Sequence, residues 1–555
     1  MDNIHFLQRA IHTAFKNHKR LPVVFLDIIK AFDRVPHDRL LYKLYIQAGI
    51  TGRAWGWLRN FLSDRWFCIT QGSLASQFVP ASAGVPQGAV LSPLLFIIYI
   101  NDFATLPPNL RMSLAMFADD VAAWPSVINL HVRSQVKQMR MFLEYVSEWS
   151  EKWRLEFSLT KSNLVTFTRK RFLYAHSPLR LCSAPLSSVP SYKYLGVHMD
   201  DDGRSNTHVD AIFAKANHTA YLIGRISNRD RGPSPLTVAR LIKAVLIPQI
   251  TYSFGFLHLP KFILQRLNQL IASPLRRSLS LNRHTSAARL LWEFGIPDAN
   301  TLLTQSSLHT VNRSARAPPT SITSILARDI TSFVPHSSPS PIRLPLTTSF
   351  AQRIHITKQK YDIRQFPMPV KALKALVVNI ATDNYMATPK LSPHAKAMKP
   401  SFGIADYLHH DNRPVVSIRC RIRLGVALSF ARLCLYKKID SSNCPVCGVK
   451  GDTKHILLEC KTHSIARNKC IQDLSQLYIK VQLTFDLLCG ITPPIPAGLQ
   501  CRSFSSLLSG QCLSITGQYL RSVSSKHFLV FDDLSPLYRP ICGFLLFFIF
   551  SAVYS

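Results

Sequence analysis

The stretch MSLAMFADDVAAW, residues 112–124, sets two adjacent carboxylates, Asp119 and Asp120, in a run that is otherwise almost wholly apolar. Ionised side chains in such surroundings are costly unless paired or bound to a metal. Two apolar runs flanking a polar pair predict a β-hairpin with both acids at or near its turn. Two readings fit: a metal site, or an aspartate-rich turn of the ordinary kind.

Working outward, a third acid stands in VVFLDII, residues 23–29. This run is rich in β-branched residues and apolar on both faces, which predicts a central strand with Asp27 inside it. A carboxylate there needs a partner. If the strand neighbours the hairpin, Asp27, Asp119 and Asp120 converge. Three such carboxylates suit Mg²⁺, which takes oxygen ligands and keeps phosphate oxygens in its shell. Two such ions can activate a 3′-hydroxyl and stabilise departing pyrophosphate.

The bulk numbers agree with a nucleic-acid enzyme. Across 555 residues, 66 Lys plus Arg oppose 31 Asp plus Glu, a net charge of +35. Such an excess points to a polyanionic partner. The basic residues are spread along the chain, which suits a nucleic-acid channel better than a membrane patch. Hydrophobic content of 47% supports folded cores. Twelve cysteines in so long a chain do not form a secreted disulfide scaffold. The first 20 residues carry charges throughout, so no signal peptide is read. The apolar run ICGFLLFFIFSAVYS, residues 541–555, is shorter than the ~20 residues of a membrane helix.

In order, the pattern predicts an amphipathic helix over 1–20, the Asp27 strand, and a helix through 39–44. Two short helices at 53–63 and a strand–loop–strand at 66–70 and 77–82 follow. Next comes a Gly/Pro-rich loop around Gln87 and Gly88, where the backbone must approach something closely. A buried helix over 93–102 precedes the hairpin. A long helix over 127–154, a strand at LVTFTRK and a strand-like YKYLGV (192–197) come after it. Helical patterns run from 206 to about 315. The fold class is therefore α+β followed by an α region.

Five segments now align: FLDIIKAFDRVPHDRL (25–40), GVPQGAVLSPLLFIIYINDF (84–103), MFADDVAAW (116–124), LTKSNLVTF (159–167) and YKYLGV. In order and spacing they resemble the palm motifs of reverse transcriptases, above all those of non-LTR (LINE-like) retrotransposons. The resemblance covers about residues 1–300. It implies a right-hand polymerase: partial fingers and palm over 1–200, and a helical thumb over 201–316. It implies that Asp27, Asp119 and Asp120 hold two Mg²⁺ ions. Phe32 would be the steric gate that selects dNTPs, and Gln87 and Gly88 would line the nucleotide and template pocket. Lys161 would be a general acid toward pyrophosphate. Leu195 and Gly196 would belong to the primer grip. The expected partners are template RNA, primer or target DNA and dNTPs. No membrane partner is expected. The expected location is nuclear, with a cytoplasmic ribonucleoprotein stage.

Residues 317–350, rich in Pro, Ser and Thr, read as a linker. Beyond it lies a basic region, 351–500, containing SIRCRIRLG (417–425) and then Cys444, Cys447, His455 and Cys460. C-x2-C-x7-H-x4-C supplies three thiolates and an imidazole, a full tetrahedral set for one structural Zn²⁺. The segment is similar to the zinc-knuckle-like region of many non-LTR polymerases, with SIRCRIRLG as its basic lead-in; such a knuckle grips RNA or target DNA. Residues 501–555 form an apolar tail without an assigned role. The family pattern has further fingers segments before the first palm motif, often with an endonuclease domain upstream. The chain therefore reads as the C-terminal part of a longer polyprotein, or as a piece of a degraded element. Two functions follow: an RNA-directed DNA polymerase, or a catalytically silent remnant that only binds nucleic acid. A group II intron-type enzyme is a third reading, against which YKYLGV and the knuckle stand.

Overall fold

The computed structural model describes residues 2–319 apart from 128–130, 170–178, 228–231, 255–256 and 258. It also describes 324, 327–328, and 346–527 apart from 389–392, 428, 437–438, 478–481, 492–501. The expected linker falls mostly, and the apolar run 541–555 wholly, outside the described residues. The chain divides into two compact units: Met1–Ala214 with Tyr252–Leu259 and Ser306–Pro369, and Lys215–Thr251 with Pro260–Gln305 and Val370–Ser555.

The first unit is built on one strand. β1 (Leu21–Leu26) is buried along its whole length. Its neighbours are β7 (Asp120–Pro125) and β8 (Asn163–Phe167), both antiparallel. β6 (Met112–Phe117) pairs with β7, and β11 (Ser187–Ser188) joins β8 in parallel, giving the order β11-β8-β1-β7-β6. Pro22 is tolerated in this central strand as its second residue, near the strand end.

Alternation on β1 divides two cores. Val24 and Leu26 face one layer, with Val121 and Ala123 of β7. That layer is closed by α2 (His37–Ile46), α4 (Ser92–Ile100) and α5 (Val132–Trp153), through Leu40, Phe96 and Phe142. Val23 and Phe25 face the other layer, closed by α1 (Asp2–Lys16) and the hairpin of β12 (Ser191–Tyr194) and β13 (Val197–Asp200). A strand apolar on both faces is therefore the middle layer of a sandwich with helices on one side and a helix plus hairpin on the other.

Several expectations shift in detail. Asp27 does not lie inside the strand; β1 ends at Leu26, and the chain turns toward a bridge between Ile28 and Phe157. Residues 53–63 form one helix, α3 (Gly52–Leu62), not two. After it, four two-residue strands make two small hairpins: β2 (Trp66–Phe67) with β5 (Val79–Pro80), and β3 (Thr70–Gln71) with β4 (Leu74–Ala75). β9 (Arg180–Leu181) and β10 (Ala184–Pro185) form another. No helix among the described residues is long and apolar enough to cross a membrane.

The second unit is helical. Residues 417–423 of the basic lead-in SIRCRIRLG lie in helix Arg413–Arg423, and two of its arginines point inward. Arg419 has a fully buried side chain; it pairs with Asp411 at 2.5 Å and donates to the Leu487, Leu488 and Leu513 carbonyls. Arg423 pairs with Glu293 at 2.9 Å and donates to Cys489 O. Buried guanidinium groups are tolerated here because each of their nitrogens finds an acceptor. Both are committed to the core, and neither can serve nucleic acid.

Lys43 plays a comparable part in the first unit. Its buried ammonium lies 2.5 Å from both Asp102 Oδ1 and Tyr99 O. It sits 3.6 Å over the Trp153 ring and also faces the Tyr99 and Trp149 rings. Burial pushes its pKa down to about 8, against the pull of Asp102. Lys43 thus pins α2 to α4 and α5. Lys43→Ala should lower stability by about 3–5 kcal/mol, the usual cost of breaking a buried pair, as read by urea unfolding. Lys43→Met should lose less, because a methionine fills the aromatic cage.

Candidate active site and Cys/His cluster

The register of the sheet builds the acidic end. Leu26 lies opposite Val121, so the chain leaves β1 at Asp27 beside the first residue of β7, Asp120. Phe117 pairs with Asp120, leaving Ala118 and Asp119 as a two-residue turn. Ala118 has φ of +52°, a left-handed conformation uncommon outside glycine, so the hairpin tip is held under strain. The field between these groups is visible in Asp120. Burial, then the negative charges of Asp119 and Asp27, raise its carboxyl above the usual aspartate value. Like charges are therefore gathered with too little positive charge to neutralise them.

One cation is near. Lys161 Nζ lies 3.7 Å from Asp27 Oδ2; the lysine side chain is 72% exposed and the aspartate 23%. The segment before β8 carries this lysine and is stitched to Asp27: Ser158 N donates to Asp27 O, and Asp27 N donates to Ser162 Oγ. Tyr192 stacks on Phe25, ring centroids 4.4 Å apart, and its hydroxyl is pushed up to about 12 by burial and then by Asp27 and Asp120. Tyr194 donates to Ala115 O, tying the β12–β13 hairpin to the strand under the acids. Sequence reasoning passed over both tyrosine rings, although YKYLGV was in view.

Two loops and a hairpin turn carry the remaining predicted residues. Phe32 is half-buried and stacks on Phe96 at 4.7 Å. Val85 N donates to Phe32 O, and Gly84 N to Val35 O. Gly84 has φ of +94°, and a Cβ there would stand 2.8 Å from Asp33 O, so only glycine permits this approach. Gln87 is exposed, and its amide donates to Asp33 Oδ1 at 2.8 Å. Gly88 also has a left-handed φ, +83°. Leu195 and Gly196 form the turn between β12 and β13, both with positive φ, and Tyr252 donates to Leu195 O. The tyrosines of β12 thus join the strand before Leu195 and Gly196 to β1 and β6, the strands that lead to the acids. Asp33 and His37, whose ring nitrogen lies 2.7 Å from Gly84 O, were not anticipated. The segment 25–40 contained both, but no pattern in it separates them from solvated polar residues.

The second unit holds the other predicted cluster. One ligand atom from each of Cys444, Cys447, His455 and Cys460 lies within 4.8 Å of all the others. The Sγ atoms of Cys444 and Cys447 are 3.8 and 3.9 Å from that of Cys460. Those spacings match the edge of a tetrahedron with metal–sulfur bonds of about 2.3 Å. The tight CPVCG turn is closed by Gly448 N donating to Cys444 O and Cys444 N to Val449 O. Both ring nitrogens of His455 are buried without a hydrogen bond, and the Glu459 carboxylate stands 3.5 Å from Nδ1. An orphaned imidazole among three thiols fits a metal ligand set, and a nearby carboxylate fits its outer shell. Among the described residues this is the one group of three or more His, Cys, Asp or Glu side chains whose ligand atoms already stand together in this way; the carboxylates of Asp27, Asp119 and Asp120 meet at one end of the sheet but are not drawn in as closely.

Comparison with known proteins follows the geometry. Residues 1–199 match the reverse transcriptase (RNA-dependent DNA polymerase) family. The chain is 32% identical over 219 residues to the probable RNA-directed DNA polymerase from transposon X-element of Drosophila melanogaster, covering 38% of this chain and 23% of the relative. It is 26% identical over 287 residues to the RNA-directed DNA polymerase from mobile element jockey of the same organism, covering 50% and 30%. It is 24% identical over 305 residues to the Pol polyprotein of the type-1 retrotransposable element R2 of Popillia japonica, covering 51% and 47%. The chain thus spans under a third of the length of the first two relatives and about half of the third. Residues 1–199 of the chain thus match a reverse-transcriptase domain, and the relatives similar to it are RNA-directed DNA polymerases and Pol polyproteins of transposable elements.

Proposed function

We propose that the chain is an RNA-directed DNA polymerase that adds dNTPs to a DNA 3′ end on an RNA template. The observation that carries this is the juxtaposition of Asp27 with Asp119 and Asp120 at one end of the sheet, within a domain that matches the reverse transcriptase family. Residues 1–200 act as palm and partial fingers, and 201–316 as thumb. Asp27, Asp119 and Asp120 hold two Mg²⁺. Bound there, the ions activate the 3′-hydroxyl and neutralise charge on pyrophosphate. Burial, and after it the charges of Asp119 and Asp27, raise Asp120, which supports this donor set. Phe32, fixed against Phe96, excludes a ribose 2′-hydroxyl. Gln87 and Gly88 contact the incoming nucleotide and template. Lys161, whose exposed ammonium lies 3.7 Å from Asp27 Oδ2, gives a proton to pyrophosphate. Leu195 and Gly196 hold the primer end. The site of action is nuclear, after a cytoplasmic ribonucleoprotein stage.

Purified protein with poly(rA)/oligo(dT), Mg²⁺ and dTTP should incorporate label, and Asp119→Asn should reduce the rate by at least about a hundredfold, the scale of losing a key electrostatic group. Incorporation that survives the substitution unchanged overturns the assignment. Salt-sensitive binding without incorporation would leave the protein a nucleic-acid binder only.

The acid cluster makes a separate prediction in the absence of metal. The folded pKa of Asp120 is raised, so its ionisation opposes folding; the cost is absent below the ordinary aspartate range and fully present at neutral pH. Asp120→Asn should therefore melt higher than wild type at pH 7 without metal, by about 2–4 °C. The gap should close as pH falls below about 4. Added Mg²⁺ should stabilise wild type more than the variant. A variant that melts lower at pH 7 contradicts this account.

The Cys444, Cys447, His455 and Cys460 set holds one structural Zn²⁺ in a knuckle that grips RNA or target DNA. Metal analysis should find about one zinc per chain, and Cys460→Ser should lose it. The helical unit should then melt early, because Leu457, between two ligands, is buried and bonded to Tyr519. Full zinc retention in Cys460→Ser, or a wild type without zinc, would refute the site.

A further inference from the structure

Two loops meet at the mouth of the candidate active site, and four contacts lace them. Val85 N donates to Phe32 O, Gly84 N to Val35 O, the His37 ring reaches Gly84 O, and Gln87 donates to Asp33. The first two fix backbone against backbone, and the third sets a ring against backbone. The fourth is different: it joins two side chains, both exposed, and it ends on a polar side chain expected to touch the nucleotide. Asp33 has no structural debt that would explain it. It is not buried, and its neighbour Arg34 pairs with Glu156 instead. A carboxylate at a mouth that admits triphosphates is electrostatically unwelcome unless it does something specific. The chain has 31 acidic residues against 66 basic ones, so an acid here is not a compositional accident.

A glutamine side chain has three rotatable bonds and an amide whose two ends differ in hydrogen-bonding role. Free in solvent, it samples many rotamers, and ordering it on nucleotide binding costs conformational entropy. Asp33 Oδ1 accepts from Nε2 and so fixes both rotamer and amide orientation, leaving Oε1 and the second N–H for a ligand. Gly84 makes this possible: any side chain there would drive the loops apart at Asp33.

We propose that Asp33 is a positioning residue for nucleotide binding, acting through its hydrogen bond to Gln87. The proposal rests on the polymerase reading and adds a residue to it. Asp33 touches neither nucleotide nor metal; it sets the amide that does the touching.

The test is a double-mutant cycle on the full chain with poly(rA)/oligo(dT), Mg²⁺ and varied dTTP. Asp33→Ala should raise KM for dTTP roughly five- to tenfold, with kcat changed by less than about twofold. Asp33→Asn keeps a carbonyl oxygen to accept the bond and should restore KM to near the wild-type value. In a Gln87→Ala background, Asp33→Ala should add nothing. The melting temperature of Asp33→Ala should stay near wild type, because the contact is exposed. Unchanged KM in Asp33→Ala, additive effects in the double variant, or Asp33→Asn as impaired as Asp33→Ala would each overturn the proposal. A wild type without incorporation overturns the polymerase reading. The same cycle is then run on dTTP affinity for the protein–template–primer complex in Mg²⁺: coupling there upholds Asp33, and no coupling or no binding overturns it.

Discussion

The site depends on β1 being buried on both faces and hydrogen-bonded along both edges. Burial on both faces fixes which residues point into which layer, because a slip of one residue would exchange Val24 and Leu26 with Val23 and Phe25. Pairing on both edges then fixes the register against β7 and β8 together. Asp27 stands at the end of the strand that both partners fix. Its position beside Asp120, and beside the Lys161 segment leading into β8, is a consequence of core packing and not of any attraction among the charged groups. The charges repel, and the sheet holds them together regardless.

That asymmetry explains which parts of the fold could be read from sequence. β1 was legible because an apolar run with a lone acid has few solutions. The hairpin was legible because polarity breaks an apolar run at its turn. The exact end of β1 was not: VVFLDII is apolar through Ile29, and only the bridge of Ile28 to Phe157 shows that the chain has already turned. The single helix at 52–62 and the paired two-residue strands after it depend on contacts that no local pattern encodes. Asp33, His37 and the tyrosines of β12 were within quoted segments, yet their partners are more than forty residues away, so their roles exist only in three dimensions.

Composition misled in one respect. A net charge of +35 invites the inference that each basic cluster is a nucleic-acid surface. Arg419 and Arg423 contradict it, as does Lys399, whose ammonium reaches three carbonyls, Trp292, Ser401 and Gly403, and whose pKa burial pushes down to about 8. These cations organise the helical unit by capturing carbonyls that a helix-poor connection would otherwise leave unpaired. A sum of charges counts them with the surface lysines. Only burial distinguishes a guanidinium that binds a carbonyl from one free to bind a phosphate.

The same distinction bears on the acidic site. Its parts are each held somewhat against local preference: Ala118 in a left-handed turn, Asp120 with a raised carboxyl, Gly84 pressed on Asp33. In a purely structural hairpin such costs would be easy to remove, with glycine at 118 or asparagine at 120. Strain and charge concentrated at one end of an otherwise well-packed sheet are features that cluster at functional sites more than in structural turns. The core that buries β1 supplies the stability from which those local costs are drawn, which is why the most polar point of the unit can sit at the end of its most apolar strand.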